Sequence, residues 1–522
     1  MRFTEETKTQ SKKMKEQLDR RGFLKLAGLY SLALSQAKPL CLPEFANPNL
    51  TVKNILIIVF DAFSAYNISL YGYGRQTTPN IDRLANRAIV YHNHYAAANF
   101  TTPGTASLLT GVLSWNHRAF NHNDTVNPEF TNQNIFHSFP NHYRMAYSHN
   151  PLANTLLNQF SGDMEKYTRR EKLFLTSNPL INTLFSNDSD TSQLSWTRIM
   201  ERKDEGYAYS LFFPPLYEKY INQKIEKLKV DFPRGLPYIY KDDYFRLEDA
   251  IDWLQRELQN APQPFLGYFH FLPPHVPYNT RRDYYDRFEL DDLKIIEKPE
   301  HIFSEHTSYK NVVRSRLRYD KYIAYVDEEF KRLFDFLDAS GLLESTWLVL
   351  TSDHGEMFER GITGHITPAM CQPVIRIPLL IFQPGNQTRQ EVFTPTSAID
   401  LLPTFLYLNG QEIPTWCEGL VLPPFGAKEP NQERDLFGLQ AKHNKRASRL
   451  QRASVILVKD RFKLIYYYGY EELRETGELI ELFDIQYDPE EMENLYPYKK
   501  GVGEELLNTV KAKLAEVNAP YE

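Results

Sequence analysis

Residues 54–60 read Asn-Ile-Leu-Ile-Ile-Val-Phe, and the residue that follows them is Asp61. An unbroken apolar run of this length, rich in β-branched residues, predicts a parallel strand that is buried on both faces. The runs Phe265–Phe271 and Trp347–Thr351 predict two more such strands, and helical spacing predicts a helix over Tyr319–Leu337. This alternation predicts an α/β fold in which a mostly parallel sheet is sandwiched by helices.

Polar residues with metal-binding chemistry follow two of these strands. Asp61 comes after the first strand, and Asp353 and His354 come after the third. Ligands in such sheets bind at the carboxyl ends of the strands. Two carboxylates and an imidazole, with the hydroxyl of Thr101 as a fourth ligand, suit one divalent metal ion (Mn, Zn, Mg or Ca), and the imidazole disfavours Ca²⁺.

Thr101 begins the segment 101–111, which reads Thr-Thr-Pro-Gly-Thr-Ala-Ser-Leu-Leu-Thr-Gly. Pro103 suits the first helical position, so the segment predicts a helix with Thr101 or Thr102 as its N-cap. The backbone N–H groups of a helix N-terminus can hold a phosphoryl or sulfuryl oxygen, and a bound cation would stabilise a threonine alkoxide. A plain helix cap is the alternative, but the acidic and imidazole groups that recur after buried strands favour a nucleophile.

Four histidines differ in how strongly the sequence supports a role for them. His275 lies among three prolines in a stiff turn after the second strand, so it is a candidate to protonate a leaving group or bind a substrate oxygen. A surface turn histidine is the alternative there. His270 lies within the strand and is interpreted as a hydrogen-bonded core histidine. His117 and His365 carry little signal when considered alone.

Two other sets of residues do not predict a site. His92 and His94 resemble a metal-binding pair on a strand, but nothing nearby in the sequence completes a ligand set. Cys41, Cys371 and Cys417 are too few and too scattered for a disulfide framework or a zinc cluster. A bridge between Cys371 and Cys417 stays open if the protein is exported.

The chain of 522 residues suits one large domain and a smaller one. We expect an export signal and linker over 1–48, a catalytic domain over 49–385 and a C-terminal subdomain over 386–522. Within the catalytic domain, residues 150–250 lack the strand–helix rhythm and are expected to form a helical insertion or lid. The C-terminal part predicts a small antiparallel sheet and a closing helix. A net charge of −6 gives no reason to expect nucleic-acid binding.

The N-terminus has the pattern of an export signal. Arg20 and Arg21 are followed by Gly-Phe-Leu-Lys, then by the short apolar run Leu26–Leu34 and by Ser-Gln-Ala. This order is typical of a twin-arginine signal, and an amphipathic helix with a chance arginine pair is the alternative. We therefore expect the twin-arginine export machinery as a partner and a periplasmic or other extracytoplasmic location in a bacterium. An uncleaved signal would tether the protein to the membrane.

Ordered motifs over about residues 50–500 resemble the sulfatase-like branch of the alkaline phosphatase superfamily. The resemblance lies in Phe60-Asp61 and in the following stretches of the chain: Leu70–Gly72, Thr78–Leu84, Leu108–Gly111, Pro274–Tyr278, Tyr325–Asp327, Ser352–Glu356, Arg376–Leu380, Asp400–Thr404, Lys463–Ile465, Leu482–Asp484 and Asp488-Pro489. It implies an alkaline phosphatase/sulfatase-like α/β fold with a smaller C-terminal antiparallel sheet.

The resemblance also implies roles for individual residues. It implies a metal ion held by Asp61, Asp353 and His354, and it places Thr101 at the position of the family's nucleophile. His117 falls on the histidine that follows the nucleophile helix and assists the nucleophile. In addition, His275 and His365 fall where substrate-contacting or acid/base histidines occur.

Departures from the family pattern concern the chemistry of the ester. Sulfatases that mature a formylglycine need Cys or Ser within Cys-x-Pro-x-Arg, whereas this chain has Thr101 and, in place of the Arg, Thr105. Threonine cannot be oxidised to that aldehyde. Ala62 replaces the second Asp of the usual pair, and residues 366–369 after His365 hold no Lys. A threonine nucleophile resembles the phosphoethanolamine and phosphoglycerol transferases and some phosphodiesterases of the superfamily.

These observations predict a metal-dependent hydrolase or transferase that acts on phosphate esters, either phosphodiesters or phosphomonoesters, through Thr101. One alternative is an arylsulfatase-like sulfuric ester hydrolase without formylglycine. Another is a catalytically idle binding protein on the same fold, although the complete set of Asp61, Asp353 and His354 argues against it. The substrate would be a phosphate or sulfate ester in either enzymatic case.

Overall fold

The computed structural model describes residues 52–176, 209–239, 243–291, 293–426 and 434–521. The predicted export signal, Cys41 and part of the 150–250 stretch lie outside these residues. Over the described residues, no helix combines the length and the apolar character that a membrane span requires.

The strands and helices are numbered here in chain order. The strands are β1 (Asn54–Phe60), β2 (Ile89–Tyr91), β3 (His94–Tyr95), β4 (Tyr143–Ser148), β5 (Lys166–Thr168), β6 (Phe265–Phe271), β7 (Thr346–Thr351), β8 (Met357–Glu359), β9 (Ile362–Gly364), β10 (Leu379–Phe382), β11 (Gln390–Val392), β12 (Thr396–Ser397), β13 (Leu436–Gln440), β14 (Ala453–Lys459), β15 (Phe462–Tyr468) and β16 (Glu478–Asp484). The helices are α1 (Pro79–Leu84), α2 (Thr101–Thr110), α3 (Ser114–His117), α4 (Ile135–Ser138), α5 (Pro151–Gln159), α6 (Tyr209–Leu228), α7 (Leu247–Gln259), α8 (Tyr309–Ala339), α9 (Gln372–Ile375), α10 (Leu401–Leu408) and α11 (Lys500–Asn518).

The main sheet has eight strands in the order β11-β2-β10-β7-β1-β6-β4-β5. Strand β1 lies inside the sheet and pairs in parallel with both β6 and β7, so that Ile55 faces Leu266 on one side and Trp347 on the other. Strand β10 runs antiparallel to β2 and β7, and the other neighbouring pairs are parallel. The predicted mostly parallel α/β sheet is confirmed.

The apolar run of β1 is buried because helices cover both faces of the sheet. The even-numbered residues from Leu56 to Phe60 pack with α7 and α8, and the odd-numbered ones from Ile55 to Val59 pack with α2, α5 and α10. Each of these large side chains is inaccessible to solvent. Burying one contributes roughly 1.5–3 kcal/mol, which explains why a continuous apolar run was the clearest signal in the chain.

The stretch 150–250 differs from the predicted insertion. Helix α5 and strand β5 belong to the main fold, where β5 pairs with β4 at the edge of the sheet, and α7 packs against α8. The three-residue β5 gives no apolar run because an edge strand is only half buried. The sequence pattern therefore missed it.

The C-terminal antiparallel sheet is confirmed, with strand order β13-β14-β15-β16. Helix α11 covers one face through residues such as Val510, and the other face packs on the segment around Met370. The expected boundary at 385/386 differs from the structure, because β11 still pairs with β2 and α10 still covers the main sheet.

The cysteines and the histidine pair each have a simple local arrangement. Cys371 is buried and Cys417 is half buried, and both are free thiols, so the bridge that the sequence left open is not formed. The Nε2 atom of His92 lies 2.6 Å from Glu391, whereas Nδ1 of His94 lies 2.9 Å from the hydroxyl of Thr396.

Helix α2 approaches the loop after β7 very closely at Gly104. A Cβ atom at this position would lie 2.5 Å from the backbone oxygen of Asp353. We expect Gly104→Ala to lower the free energy of unfolding by about 1–3 kcal/mol, although alanine is the better helix former. Gly501→Ala on α11, where nothing lies within 4 Å, should not destabilise. Urea denaturation measures both, and an unchanged Gly104→Ala would contradict this close approach.

Candidate metal centre and active site

Three potential metal ligands meet where β1 and β7 end. Asp61 follows β1, Asp353 and His354 follow β7, and all three side chains are fully buried. One ligand atom from each lies within 4.8 Å of the others. The sheet thus brings together two carboxylates and an imidazole that are far apart in the sequence.

Each carboxylate has one oxygen that the protein leaves without a hydrogen-bond partner among the described residues. Asp61 accepts hydrogen bonds at Oδ2, and Asp353 accepts them at Oδ1 from the backbone N–H groups of Ala62 (3.3 Å) and His354 (3.1 Å). Asp61 Oδ1 and Asp353 Oδ2 have no such partner. Leaving a buried carboxylate oxygen unpaired is costly, so these two atoms fit the ligands of a cation.

His354 presents its second nitrogen to the same point. Its Nδ1 lies 2.9 Å from the carbonyl oxygen of Gly355 and donates to it, which leaves the lone pair of Nε2 free. Nε2 lies 3.4 Å from Asp61 Oδ1 and 3.5 Å from Asp353 Oδ2. Burial lowers the pKa of His354 and so disfavours the charged form of its ring. This donor set of two carboxylates and one neutral imidazole fits a divalent cation.

The pKa values of the two carboxyl groups are shifted in opposite directions from their ordinary value. Burial opposes ionisation of Asp61, but the charges of His275, His270 and His354 and a hydrogen bond from His270 hold its pKa below the usual range. Burial, together with the charge of Asp61, raises the pKa of Asp353. The cation-free site therefore favours one negative charge over two.

Cation binding should accordingly release a proton. A raised pKa means that Asp353 keeps its proton above the ordinary range, so affinity should rise with pH until Asp353 is ionised in the free protein. Titration calorimetry in buffers of different ionisation enthalpy measures the released proton. Asp353→Asn should lose both the binding and the proton, whereas Asp338→Asn on the surface should keep both. Affinity independent of pH would contradict this account.

Thr101 lies at the first position of α2 and is 1% exposed. Its Oγ1 is 3.3 Å from Nε2 of His354 and 3.1 Å from Nδ2 of Asn150. The N-cap of the helix is Phe100, so the prediction that Thr101 or Thr102 caps it was wrong. The side chain of Thr101 instead contacts His354, one of the candidate metal ligands, and Asn150.

The structure brings His275 and His365 together beside this site. The ring of His365 lies 4.3 Å from that of His354 and 5.0 Å from that of half-buried His275. Nδ1 of His365 is 3.1 Å from Oε1 of Glu356. Burial and the charge of His275 lower the pKa of His365 to about 3, and burial raises the pKa of Glu356 to about 7. The rings of His275, His365 and His354 thus form a continuous row that ends at the candidate metal ligands.

His117 has a different environment. Its Nε2 lies 3.0 Å from the hydroxyl of Ser107, and its Nδ1 accepts a hydrogen bond from the backbone of Ala119. Burial lowers its pKa to about 3. These contacts tie α2 to the segment after α3, and no described hydrogen bond joins His117 to Thr101.

His270 supports the metal site as well as the core. It is fully buried, as the sequence indicated, but its Nε2 lies 3.2 Å from Oδ2 of Asp61 and 3.8 Å from Oδ2 of Asp353. Burial opposes protonation of His270, but the two carboxylates raise its pKa. The interpretation as a core histidine missed this role because it depends on the pairing that sets His270 beside Val59.

Asn150 is the site residue that the sequence analysis did not find. Its Oδ1 caps α5 by accepting a hydrogen bond from the backbone of Leu152 (2.8 Å). Its Nδ2 donates to Oδ2 of Asp61 and to Oγ1 of Thr101. An Asn-Pro pair is a helix-start signal, but the short strand before it gave no reason to place it near Asp61.

Asn150→Ser should lower kcat by about 10–100-fold, because serine can still cap α5 but is too short to donate to Thr101. Asn158→Ser, on an exposed position of the same helix, is the matched control and should behave as wild type. Steady-state kinetics and the melting temperature separate the loss of positioning from a loss of stability. An active Asn150→Ser enzyme would show that the amide of Asn150 does not position the hydroxyl.

Comparisons with known proteins agree with this fold. The family model described as Sulfatase matches residues 53–410, and the model described as N-sulphoglucosamine sulphohydrolase, C-terminal, matches residues 367–520. The first match spans well over half of the chain. The chain therefore belongs to the sulfatase family, as the motifs indicated.

Relatives with different activities resemble it over most of its length. The Multifunctional alkaline phosphatase superfamily protein PehA of Trinickia caryophylli is 24% identical over 503 residues, which cover 85% of this chain and 91% of the relative. The Choline-sulfatase of Rhizobium meliloti is 25% identical over 479 residues, which cover 86% and 83%. The chain is an ester hydrolase of this family.

Solved structures share the fold. The phosphonate monoester hydrolase of Agrobacterium radiobacter has a TM-score of 0.63 at 19% identity and covers 90% of this chain and 96% of its own. A 2-O GAG sulfatase has a TM-score of 0.61 at 16% identity and covers 89% and 91%. At these identities the likeness concerns the fold alone.

Proposed function

We propose that this protein cleaves or transfers phosphorus esters through Thr101. The observation that carries the proposal is the position of Thr101 Oγ1, which is buried at a helix N-terminus within 3.3 Å of a candidate metal ligand. A hydroxyl in this place has a neutral imidazole, an amide donor and unpaired carboxylate oxygens around it. Such an arrangement suits a nucleophile better than a helix cap.

Two lines of reasoning favour phosphorus over sulfur. Threonine cannot form the aldehyde that formylglycine sulfatases use, and Thr105 stands where those enzymes have an arginine. The site accordingly offers fewer cationic groups to a sulfate than a sulfatase does.

The residues suggest a two-step reaction. A divalent cation held by Asp61, Asp353 and His354 would supply positive charge to the Thr101 oxygen and to the oxygens of the ester. Asn150 orients the hydroxyl of Thr101, whose proton passes to water because the cation would lower the pKa of this hydroxyl. The Thr101 oxygen then forms a bond to phosphorus while the bond from phosphorus to the leaving oxygen breaks. The N–H groups at the start of α2 stabilise the charge on the phosphoryl oxygens.

Histidines complete the proton transfers in this proposal. His275 gives a proton to the leaving oxygen, and neutral His365, held by Glu356, binds an ester oxygen. Water or an acceptor alcohol then attacks phosphorus and gives its proton to His275. The bond from phosphorus to the Thr101 oxygen breaks, and this oxygen regains its proton from water. Hydrolysis and transfer differ only in which acceptor enters.

The test is a panel of matched aryl esters: a phosphate monoester, a phosphodiester, a phosphonate ester and a sulfate ester. The metal-loaded protein should prefer a phosphorus ester, and Thr101→Ala should lose at least about 10³-fold in kcat/KM. Thr101→Ser keeps a hydroxyl and should retain most activity, and Thr102→Ala is the matched control on the next residue. Full activity of Thr101→Ala would sink the proposal.

Sulfuric ester hydrolysis without formylglycine is the second candidate, and family membership together with the similarity to a choline-sulfatase favours it. Preferred turnover of the sulfate ester that depends on Thr101 would establish it in place of the first. A protein that binds the cation but turns over none of the four esters would be an idle binding protein or a transferase without its acceptor.

A further inference from the structure

A strongly basic loop connects β13 and β14. Residues 442–452 read Lys-His-Asn-Lys-Arg-Ala-Ser-Arg-Leu-Gln-Arg, with five cations and no acid, in a chain whose net charge is −6. We call these eleven residues the basic loop. The like charges of these side chains repel one another, so solubility alone does not explain why they are clustered.

The cations of the basic loop are not neutralised by the protein. Among the described residues, none of the five forms a salt bridge with a carboxylate. Lys442 lies over the ring of Phe100 and Arg452 over the ring of Tyr470. Lys445 and Arg449 are exposed. Their charges are available to a ligand.

The loop is nevertheless held firmly. Buried Asn444 donates to backbone carbonyls at both ends of the loop, at 2.7 and 2.6 Å. Buried Arg118, which follows α3, donates to the carbonyl oxygens of Arg446 (2.9 Å) and Ser448. The backbone amide of His443 donates to Asn121 at 2.8 Å. These contacts hold the backbone of the basic loop against residues 118–121, which follow α3.

Three adjoining clefts run along the basic loop. The first, of about 260 Å³, reaches from Ile366, next to His365, to Lys442 and Arg452. The second, of about 380 Å³, shares Arg452 with the first and adds Lys445 and Arg449, residues of the basic loop. The third, of about 520 Å³, shares Arg449 with the second and adds Lys511, which is paired with Glu478 at 3.1 Å.

These three clefts, called the track from here on, begin at Ile366, the residue that follows His365 in the chain. Nζ of Lys442 is 6.0 Å from the ring centre of Phe100, the residue before Thr101. Glu471 and Glu472 also line the first cleft, and Glu471 is paired with Arg474 at 3.1 Å. Burial and the charges of Arg452 and Lys442 lower the pKa of His443, in keeping with a positive field there.

We propose that this track binds an extended polyanion, a polymer with repeated phosphate or sulfate groups, and leads one of its ester groups to Thr101. The inference rests on the proposed function and deepens it. The cations extend over three successive clefts, which is more than one ester group can span. These cations also line recesses and not a flat face, so their arrangement suits a polymer chain better than a membrane surface.

The experiment measures binding of fluorescent long-chain polyphosphate and dextran sulfate to the Thr101→Ala protein, which leaves the polymer intact. Adding K445Q/R449Q should weaken binding about tenfold at low salt, and the difference should shrink as salt rises. K310Q/R314Q removes an exposed Lys and Arg with the same spacing on α8 and should bind as its parent. Melting temperatures confirm that both variants are folded.

The outcomes separate the two proposals. Tighter binding of polyphosphate than of dextran sulfate assigns a phosphorylated polymer, and the reverse assigns a sulfated one. If K445Q/R449Q and its parent bind the polymer equally well, the proposal of a polyanion-binding track is overturned, independently of the role of Thr101 in the turnover of small esters. Tighter binding to phosphatidylglycerol vesicles or to single-stranded DNA than to both polymers overturns it as well. Small-ester turnover that survives Thr101→Ala defeats the proposed function, and the polymer affinities are read independently of it.

Discussion

The parallel pairing of β1 with β6 and β7 is the constraint on which the site depends. Its register places Val59 between His270 and Thr351. Asp61 lies two residues after Val59, and Asp353 lies two residues after Thr351, the partner of Val59. Both carboxylates therefore lie at the same edge of the sheet. A change of register by one residue would turn each apolar side chain to the opposite face and separate the ligands.

The protein stabilises this buried pair of carboxylates with fixed dipoles. Asn150 and His270 hold one oxygen of Asp61, and the backbone of Ala62 holds one oxygen of Asp353. Ala62 has a φ of 59°, a left-handed conformation that favours glycine. The turn thus aims an N–H group at Asp353 from the position where the family usually has a second Asp.

The sequence predicted what depends on local pattern. Strands β1 and β6 have the predicted bounds, because an apolar run buried on both faces is unambiguous in length and type. Asp61, Asp353 and His354 could be found because a residue after a buried strand in such a sheet lies at the ligand-binding edge. That argument needs only the strand and its direction.

What the sequence missed depends on tertiary neighbours. Asn150 follows β4, whose pattern is weak, and its contact with Thr101 arises from two helix starts that meet above the sheet. From the sequence, His270 looked like a core residue, because Asp61, which it contacts at the site, follows the neighbouring strand β1 and is distant along the chain. The direction of the Thr101 side chain follows from a helix whose N-cap is Phe100, and no residue pattern predicted that cap.

The distance along the chain between the ligands has a consequence for folding. Ala62 and Asp353, which share a hydrogen bond at the site, are 291 residues apart. A contact between residues so far apart in the sequence forms late. The loop that joins them must close first, before any interaction compensates the lost conformational entropy. A cation cannot organise the unfolded chain here as it does in a short metal-binding loop. It can only select and stabilise molecules whose central strands have already paired.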